Sequence, residues 1–244
     1  MQHFSLLTYN LFYNKGVNQL QQIFLSNNPE LLFFQEVIKD EIVFKKIESY
    51  GYQLAGFSQS FSVAGQTFGV ATLYDPKTIK LISSKNLYIP PSFLEMLFFV
   101  LLKRGKILRT VLKTEFEHKR TRKRIITYNI HLSSIAMNNI RRKQIKSVFD
   151  DLVLGKKSPI VIAGDFNYPY RRRAFESLIS LSELEEATKN IYFTNNFLRI
   201  LPIKLKLDYI LYKNLILEET KLINIKASDH YPIYSTFKFI SSEE

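Results

Sequence analysis

With 244 residues and no cysteine, the chain has room for a sizeable core but no disulfide framework and no thiolate metal site. Hydrophobic residues are 46% and charged residues 23%, the balance of a soluble globular protein. A formal net charge of +12 favours polyanionic partners: nucleic acid, anionic lipid headgroups or polyphosphates.

The pattern alternates strand and helix. Residues 4–9 form the first apolar, β-prone run. Residues 17–25 have helical spacing, with Leu20, Ile23 and Phe24 on one face, and Asn27-Asn28-Pro29 ends them. A short buried strand, 31–34, delivers Gln35-Glu36, and a second helix covers 42–50. Strand-like runs follow at 52–57, 68–74 and 79–89. After Pro90-Pro91 comes an apolar decad, 93–102, then Lys103-Arg104-Gly105-Lys106. The decad is too short to span a bilayer, and it carries Glu95. Two long strands, 107–116 and 124–131, read as a hairpin closed by a basic turn. Residues 137–154 give the clearest amphipathic helix. A strand at 160–163, a helix at 172–181 and strands at 207–212, 222–225 and 233–240 complete the chain. No internal repeat or low-complexity linker divides it, so one α/β domain over 1–244 is expected. No basic, signal-like region precedes the first strand, and a cytoplasmic protein is expected.

Polar and ionisable residues recur where the apolar runs end. Asn10 ends the first, Gln35-Glu36 the second, and Asn129-Ile130-His131 a middle one. Gly164-Asp165-Phe166-Asn167 ends a later one, Asp208 opens another, and Ser228-Asp229-His230 precedes the last. Singly, each has an ordinary explanation: a turn, a solvated acid, or a pair with a surface lysine such as Lys206. Their recurrence is informative, because a core has no use for them. Open α/β sheets bind ligands at such an edge. Acid, amide and imidazole together hold a divalent metal, polarise a phosphate and move a proton. Without cysteine, a metal must rest on oxygen ligands or on the 4 histidines, which favours Mg²⁺.

These motifs, in this order, resemble the endonuclease/exonuclease/phosphatase superfamily from the first strand to the last: Leu7-Thr8-Tyr9-Asn10, Gln35-Glu36-Val37, Tyr128-Asn129-Ile130-His131-Leu132, Gly164-Asp165-Phe166-Asn167, Leu207-Asp208-Tyr209-Ile210 and Ser228-Asp229-His230. The resemblance implies a four-layer α/β sandwich, two packed mixed sheets with helices outside. It also implies a Mg²⁺- or Mn²⁺-dependent hydrolase in which Glu36 is the principal metal ligand. Asn10 would support that metal, and Asp229 would join it or hold a second ion. His230 would contact the scissile phosphate, with Asp208 fixing its tautomer. Asp165 would orient or deprotonate the attacking water, and Asn167 would position that water or the phosphate. His131 would donate to a non-bridging oxygen, and Arg109 would add a guanidinium. The chain departs from the abasic-site endonucleases: it has no tryptophan, Tyr9 precedes Asn10, and Lys206-Leu207 precedes Asp208. Its His131 motif is more similar to the deoxyribonuclease I, tyrosyl-DNA phosphodiesterase and sphingomyelinase branches.

Basic residues cluster at 103–113, 119–124 and 141–143, and at Arg171-Arg172-Arg173 after the Asp165 turn. Tyr168 and Tyr170 interleave with the last cluster as candidate stacking platforms, and Arg171 and Arg172 as phosphate contacts. The expectation is a monomeric nuclease or DNA-end-processing phosphodiesterase that binds nucleic acid. The alternative is a membrane-associated phospholipid or inositol-phosphate phosphoesterase, with residues 93–104 meeting an anionic membrane surface. A non-catalytic binding module is the third reading.

Overall fold

Apolar runs that do not alternate need cover on both faces, and here two sheets pack together with helices outside. The computed structural model describes residues 2–101, 107–152, 158–197, 203–225 and 227–240. Leu102 and the basic run Lys103-Arg104-Gly105-Lys106 lie outside the described residues.

In chain order the elements are β1 (His3–Asn10), a 3-10 turn (Lys15–Gln19), α1 (Leu20–Asn27), β2 (Leu31–Ile38), α2 (Glu41–Glu48), β3 (Gln53–Val63), β4 (Gln66–Tyr74) and β5 (Ile79–Tyr88). Next are α3 (Phe93–Leu101), β6 (Thr110–His118), β7 (Arg124–His131), α4 (Asn138–Asp150), β8 (Ile160–Asp165) and α5 (Arg172–Leu181). Then come β9 (Glu185–Glu186), β10 (Asn195–Phe197), β11 (Ile203–Leu205), β12 (Asp208–Lys213), β13 (Leu215–Leu222) and β14 (Ile233–Phe239). One six-stranded sheet runs β13-β14-β1-β2-β4-β3, and the other runs β5-β6-β7-β8-β12-β9. Both are mixed: β1 and β2 are parallel, as are β7 and β8, whereas β14–β1 and β6–β7 are antiparallel. This is the four-layer α/β sandwich that the resemblance implied.

The period of two sorts side chains between layers. Leu31 and Phe33 of β2 enter the core between the sheets, with Phe4, Leu6, Phe116 and Val161. Leu32 and Phe34 point outward, against Leu20, Ile23 and Phe24 of α1 and Ile47 of α2. On the other outer face, Ile145, Val148 and Phe149 of α4 and Phe175 and Ile179 of α5 cover Tyr128 and Ile130 of β7.

Some boundaries differ from the sequence reading. The strand expected at 222–225 is instead β13, and Ile223 and Ile225 leave the sheet to pack on the outer core. β13 is an edge strand whose Glu218, Glu219 and Lys221 are exposed, so its apolar run stops at Leu217. The strand expected from 107 begins at Thr110, because Arg109 turns inward to an acid on α3.

Register sets the site. Asp165, the last residue of β8, pairs with His131 across the parallel ladder and with Asp208 across the antiparallel one. Three neighbouring strands therefore present three of the candidate site residues in one row. Gly164, at φ 138°, makes this possible: a Cβ there would lie 2.1 Å from the Ile130 carbonyl oxygen. From the other sheet, β1 ends at Asn10, and the turn before β14 brings His230 to the same edge. Behind this edge Gln35 Nε2 donates to Asn129 Oδ1 at 2.8 Å, and Asn129 Nδ2 donates to the Ala71 carbonyl at 2.9 Å. This buried polar link joins the sheets.

Candidate active site

His230 is the best-defined group. Its Nδ1 lies 2.7 Å from Asp208 Oδ2, which fixes Nδ1 as the protonated nitrogen. Its Nε2 is 3.8 Å from Asp165 Oδ2. Burial disfavours the imidazolium, but the Asp208 and Asp165 carboxylates outweigh it and push the His230 pKa up to about 10. His230 is therefore a cation at neutral pH. Ser228 holds the turn in place: its Oγ donates to the Asn10 carbonyl at 2.7 Å and accepts from the His230 N–H at 3.1 Å.

Asp165 sits at the centre. Its Oδ1 accepts the Asn167 N–H at 2.8 Å, and its Oδ2 accepts Asn10 Nδ2 at 3.1 Å. Burial raises its pKa to about 7, against the opposing pull of His230. Asn167 takes a left-handed backbone, φ 49°, and its Nδ2 donates to the Leu132 carbonyl at 3.2 Å.

His131 Nε2 lies 3.7 Å from Asp165 Oδ2 and 3.8 Å from Glu36 Oε1. Burial and the nearby charges of Arg109 and His230 hold its pKa well below the usual value, so it is neutral. Neither ring nitrogen has a hydrogen-bond partner, and Glu36 Oε2 has none either. Glu36 sits where the β2–β4 register shifts, between Phe34 and Val37, with φ 54°. The bulge takes its carboxylate out of the strand's alternation. Burial raises its pKa to about 7.

Orphaned buried acceptors and donors beside a carboxylate fit a missing ligand. Two donor sets are candidates for a metal. Asp165, Asp208 and His230 offer atoms within 4.8 Å of one another. Asp208 and His230 already hold each other, however, through Nδ1 and Oδ2 at 2.7 Å. Glu36 fits better, with the amide of Asn10 beside it and Asp229 near enough to raise its pKa. Asp229 is half-buried, and its Oδ1 lies 3.2 Å from Ser228 Oγ.

The structure brings Asn10, Glu36, His131, Asp165, Asn167, Asp208, Asp229 and His230 to one edge, and it moves other candidates away. Tyr168 is no stacking platform: it is 1% exposed and stacks on Phe175 in the core. Arg172 is engaged by Glu186 and Glu176 and lies over Tyr209. Arg109 lines the cleft, but Glu95 holds its guanidinium in a buried ion pair. Arg171 is exposed at the rim, beside Tyr170 and Met137. The turn 119–124 sits at the opposite end of β7 from His131. Glu95 escaped the sequence reading; its signal was a lone acid inside an apolar run, 14 residues before an arginine.

Residues 7–230 match the Endonuclease/Exonuclease/phosphatase family. The chain belongs to that family. Members of the family are phosphoric ester hydrolases. A UPF0294 protein of Vibrio campbellii is 26% identical over 241 residues, covering 96% of this chain and 77% of that protein. Among solved structures, an endonuclease/exonuclease/phosphatase from Bacteroides vulgatus superposes with TM-score 0.77 at 15% identity, covering 98% of this chain and 100% of that one. The human Nocturnin catalytic domain, with a bound sulfate anion, superposes with TM-score 0.75 at 17% identity, covering 98% and 95%. These structures share the family's sandwich with this chain.

Proposed function

We propose that this chain is a divalent-metal-dependent phosphoester hydrolase that adds water to phosphorus. The observation that carries the reading is the convergence of Asp165, His131 and the His230–Asp208 pair from separate strands at one sheet edge. Asp165, raised to about 7, is suited to take a proton from the attacking water at Oδ2, and Asn10 and the Asn167 amide hold it for that role. His230, a cation, donates through Nε2 to a phosphate oxygen, and Asp208 keeps the ring oriented. His131 is neutral and has a free N–H for a non-bridging oxygen. Glu36, with Asn10 and Asp229, would hold Mg²⁺ or Mn²⁺. A bound ion there would polarise the phosphoryl oxygen and offset its developing charge.

For the substrate, the net charge of +12 supports a polyanion. Of the local supports for a nuclease reading, Arg109 and Arg172 are engaged and Tyr168 is buried, whereas Arg171 and Tyr170 stay exposed. The test is hydrolysis of bis(p-nitrophenyl) phosphate and of labelled single- and double-stranded DNA and RNA, with Mg²⁺, Mn²⁺ or EDTA. Metal-dependent turnover lost in Asp165→Ala and His230→Ala is expected. Turnover of no phosphoester with either ion, or turnover unchanged in both variants, would sink the proposal.

A further inference from the structure

Helix α3 is inside out. Of its 9 residues, the buried one is the acid, Glu95. Phe93, Val100 and Leu101 are 74%, 69% and 71% exposed, and Leu94, Met96 and Leu97 are exposed as well. Buried Glu95 is not a defect: it pairs with Arg109 and accepts the Ser134 N–H at 3.1 Å. Burial alone would raise its pKa, but Arg109 holds it below the usual value. The helix is thus fastened by its one charge, and its apolar side chains are turned out.

The position is as informative as the composition. Phe99 lies edge-on to Phe61, which in turn meets the His131 ring. Phe98 and Phe99 line a cavity of about 230 Å³ together with Glu36 and His131. The exposed helix is therefore the wall of the cleft. The rim continues from there: Ser92 Oγ donates to the Ile135 carbonyl at 2.8 Å, and Asn138 Nδ2 donates to the Tyr170 carbonyl at 2.7 Å. That ties α3 to a loop carrying exposed Met137 and to exposed Tyr170, Arg171 and Arg173. Aromatic and aliphatic side chains with arginines around one mouth suit the interface of an anionic bilayer.

Size and shape separate the possible occupants. A helix of 9 residues is about 14 Å long, so it lies in an interface and does not cross one. Its exposed side chains point several ways along a ridge, which acyl chains can surround and a flat protein face cannot. The charge of +12 complements anionic headgroups.

We propose that α3 seats in the surface of an anionic lipid bilayer and holds the cleft against phosphoester headgroups anchored there. The lipid-headgroup substrate rests on the hydrolase reading above; the docking does not. Co-sedimentation with vesicles of phosphatidylcholine, alone or mixed with phosphatidylglycerol, tests it in the wild type, in Asp165→Ala, and in the triple variant Phe93→Ser/Val100→Ser/Leu101→Ser. These three residues lie outside the cavity lining. The expected result is binding that favours the anionic vesicles, is unchanged in Asp165→Ala, and falls about 10-fold or more in the triple variant. Turnover of bis(p-nitrophenyl) phosphate by the triple variant should stay at the wild-type rate, which shows that the fold is intact. Wild type that binds neither vesicle, or triple variant that binds as well as wild type, overturns the docking. So does a concentration-dependent dimer that the triple variant abolishes, because the occupant is then a second copy. Vesicle binding by a wild type that hydrolyses no phosphoester supports docking and removes the hydrolase reading instead.

Discussion

Two histidine–glutamate pairs bracket β2, with the same separation and opposite roles. His118 Nε2 is 3.8 Å from Glu30 Oε1 at one end, and His131 Nε2 is 3.8 Å from Glu36 Oε1 at the other. At the first end each side chain has one polar atom engaged. Glu30 Oε2 accepts the Ser5 N–H at 3.0 Å, and His118 Nδ1 meets Thr121 Oγ1 at 2.9 Å. At the second end, both His131 nitrogens and Glu36 Oε2 are buried without partners. Residue type and spacing are alike; what differs is whether the hydrogen bonds close. A closed pair staples strands together. An open one holds desolvated groups ready for a ligand, at a cost of about 1–3 kcal/mol for each unsatisfied group.

Substitution at each end gives the sharpest contrast. Glu36→Gln and His131→Ala should each lower kcat for phosphoester hydrolysis by about 10²–10⁴-fold with little change in Tm. His118→Ala should leave kcat within a factor of two, and equal losses at both ends would break the comparison. A second contrast concerns Glu95, which is closed as firmly as Glu30 but against a full charge. Glu95→Ala strands a buried guanidinium and should cost about 3–5 kcal/mol in urea unfolding. Glu95→Met/Arg109→Leu should recover most of that stability. His118→Ala should cost about 1–2 kcal/mol in the same measurement, because the Thr121 hydroxyl loses its partner.

The smallest effect is in pH, and its sign differs between the two structural acids. Burial raises the Glu30 pKa above its ordinary 4.5, so its contribution is fully present below 4.5 and is lost as pH rises through the folded value. Arg109 depresses that of Glu95, so its contribution is present above 4.5 and is lost as pH falls. Thermal melts between pH 3 and pH 8 should show Glu30→Gln flattening the alkaline side and Glu95→Gln the acid side. Identical profiles for the two variants would contradict the assignment.

What the sequence showed was local. Strand ends such as Gln35-Glu36 and Gly164-Asp165 could be read because an apolar run stops and polar residues follow directly. The order of motifs carried the sandwich and the row of site residues. Partners distant in sequence could not be read. Tyr168 follows the Asp165 turn and looked like a substrate contact, but Phe175 on α5 takes its ring. The charge of Arg172 is neutralised by Glu186, 14 residues on. Glu95 read as an interruption of an apolar run and is the anchor of its helix. Each reversal follows from partners that only the folded chain supplies.

The clasp between Ser228 and Asn10 spans 218 positions of sequence, and β1 lies between β14 and β2 in its sheet. Asn10, which aligns Asp165, is thus made well before His230, the imidazole that faces that aspartate. A growing chain can bury most of its core while still lacking His230, the turn that carries it and the strand that seats β1. A product that ends before residue 230 lacks that imidazole and should show no phosphoester turnover. Contacts of such range also slow folding. On refolding, phosphoester turnover should appear later than secondary structure.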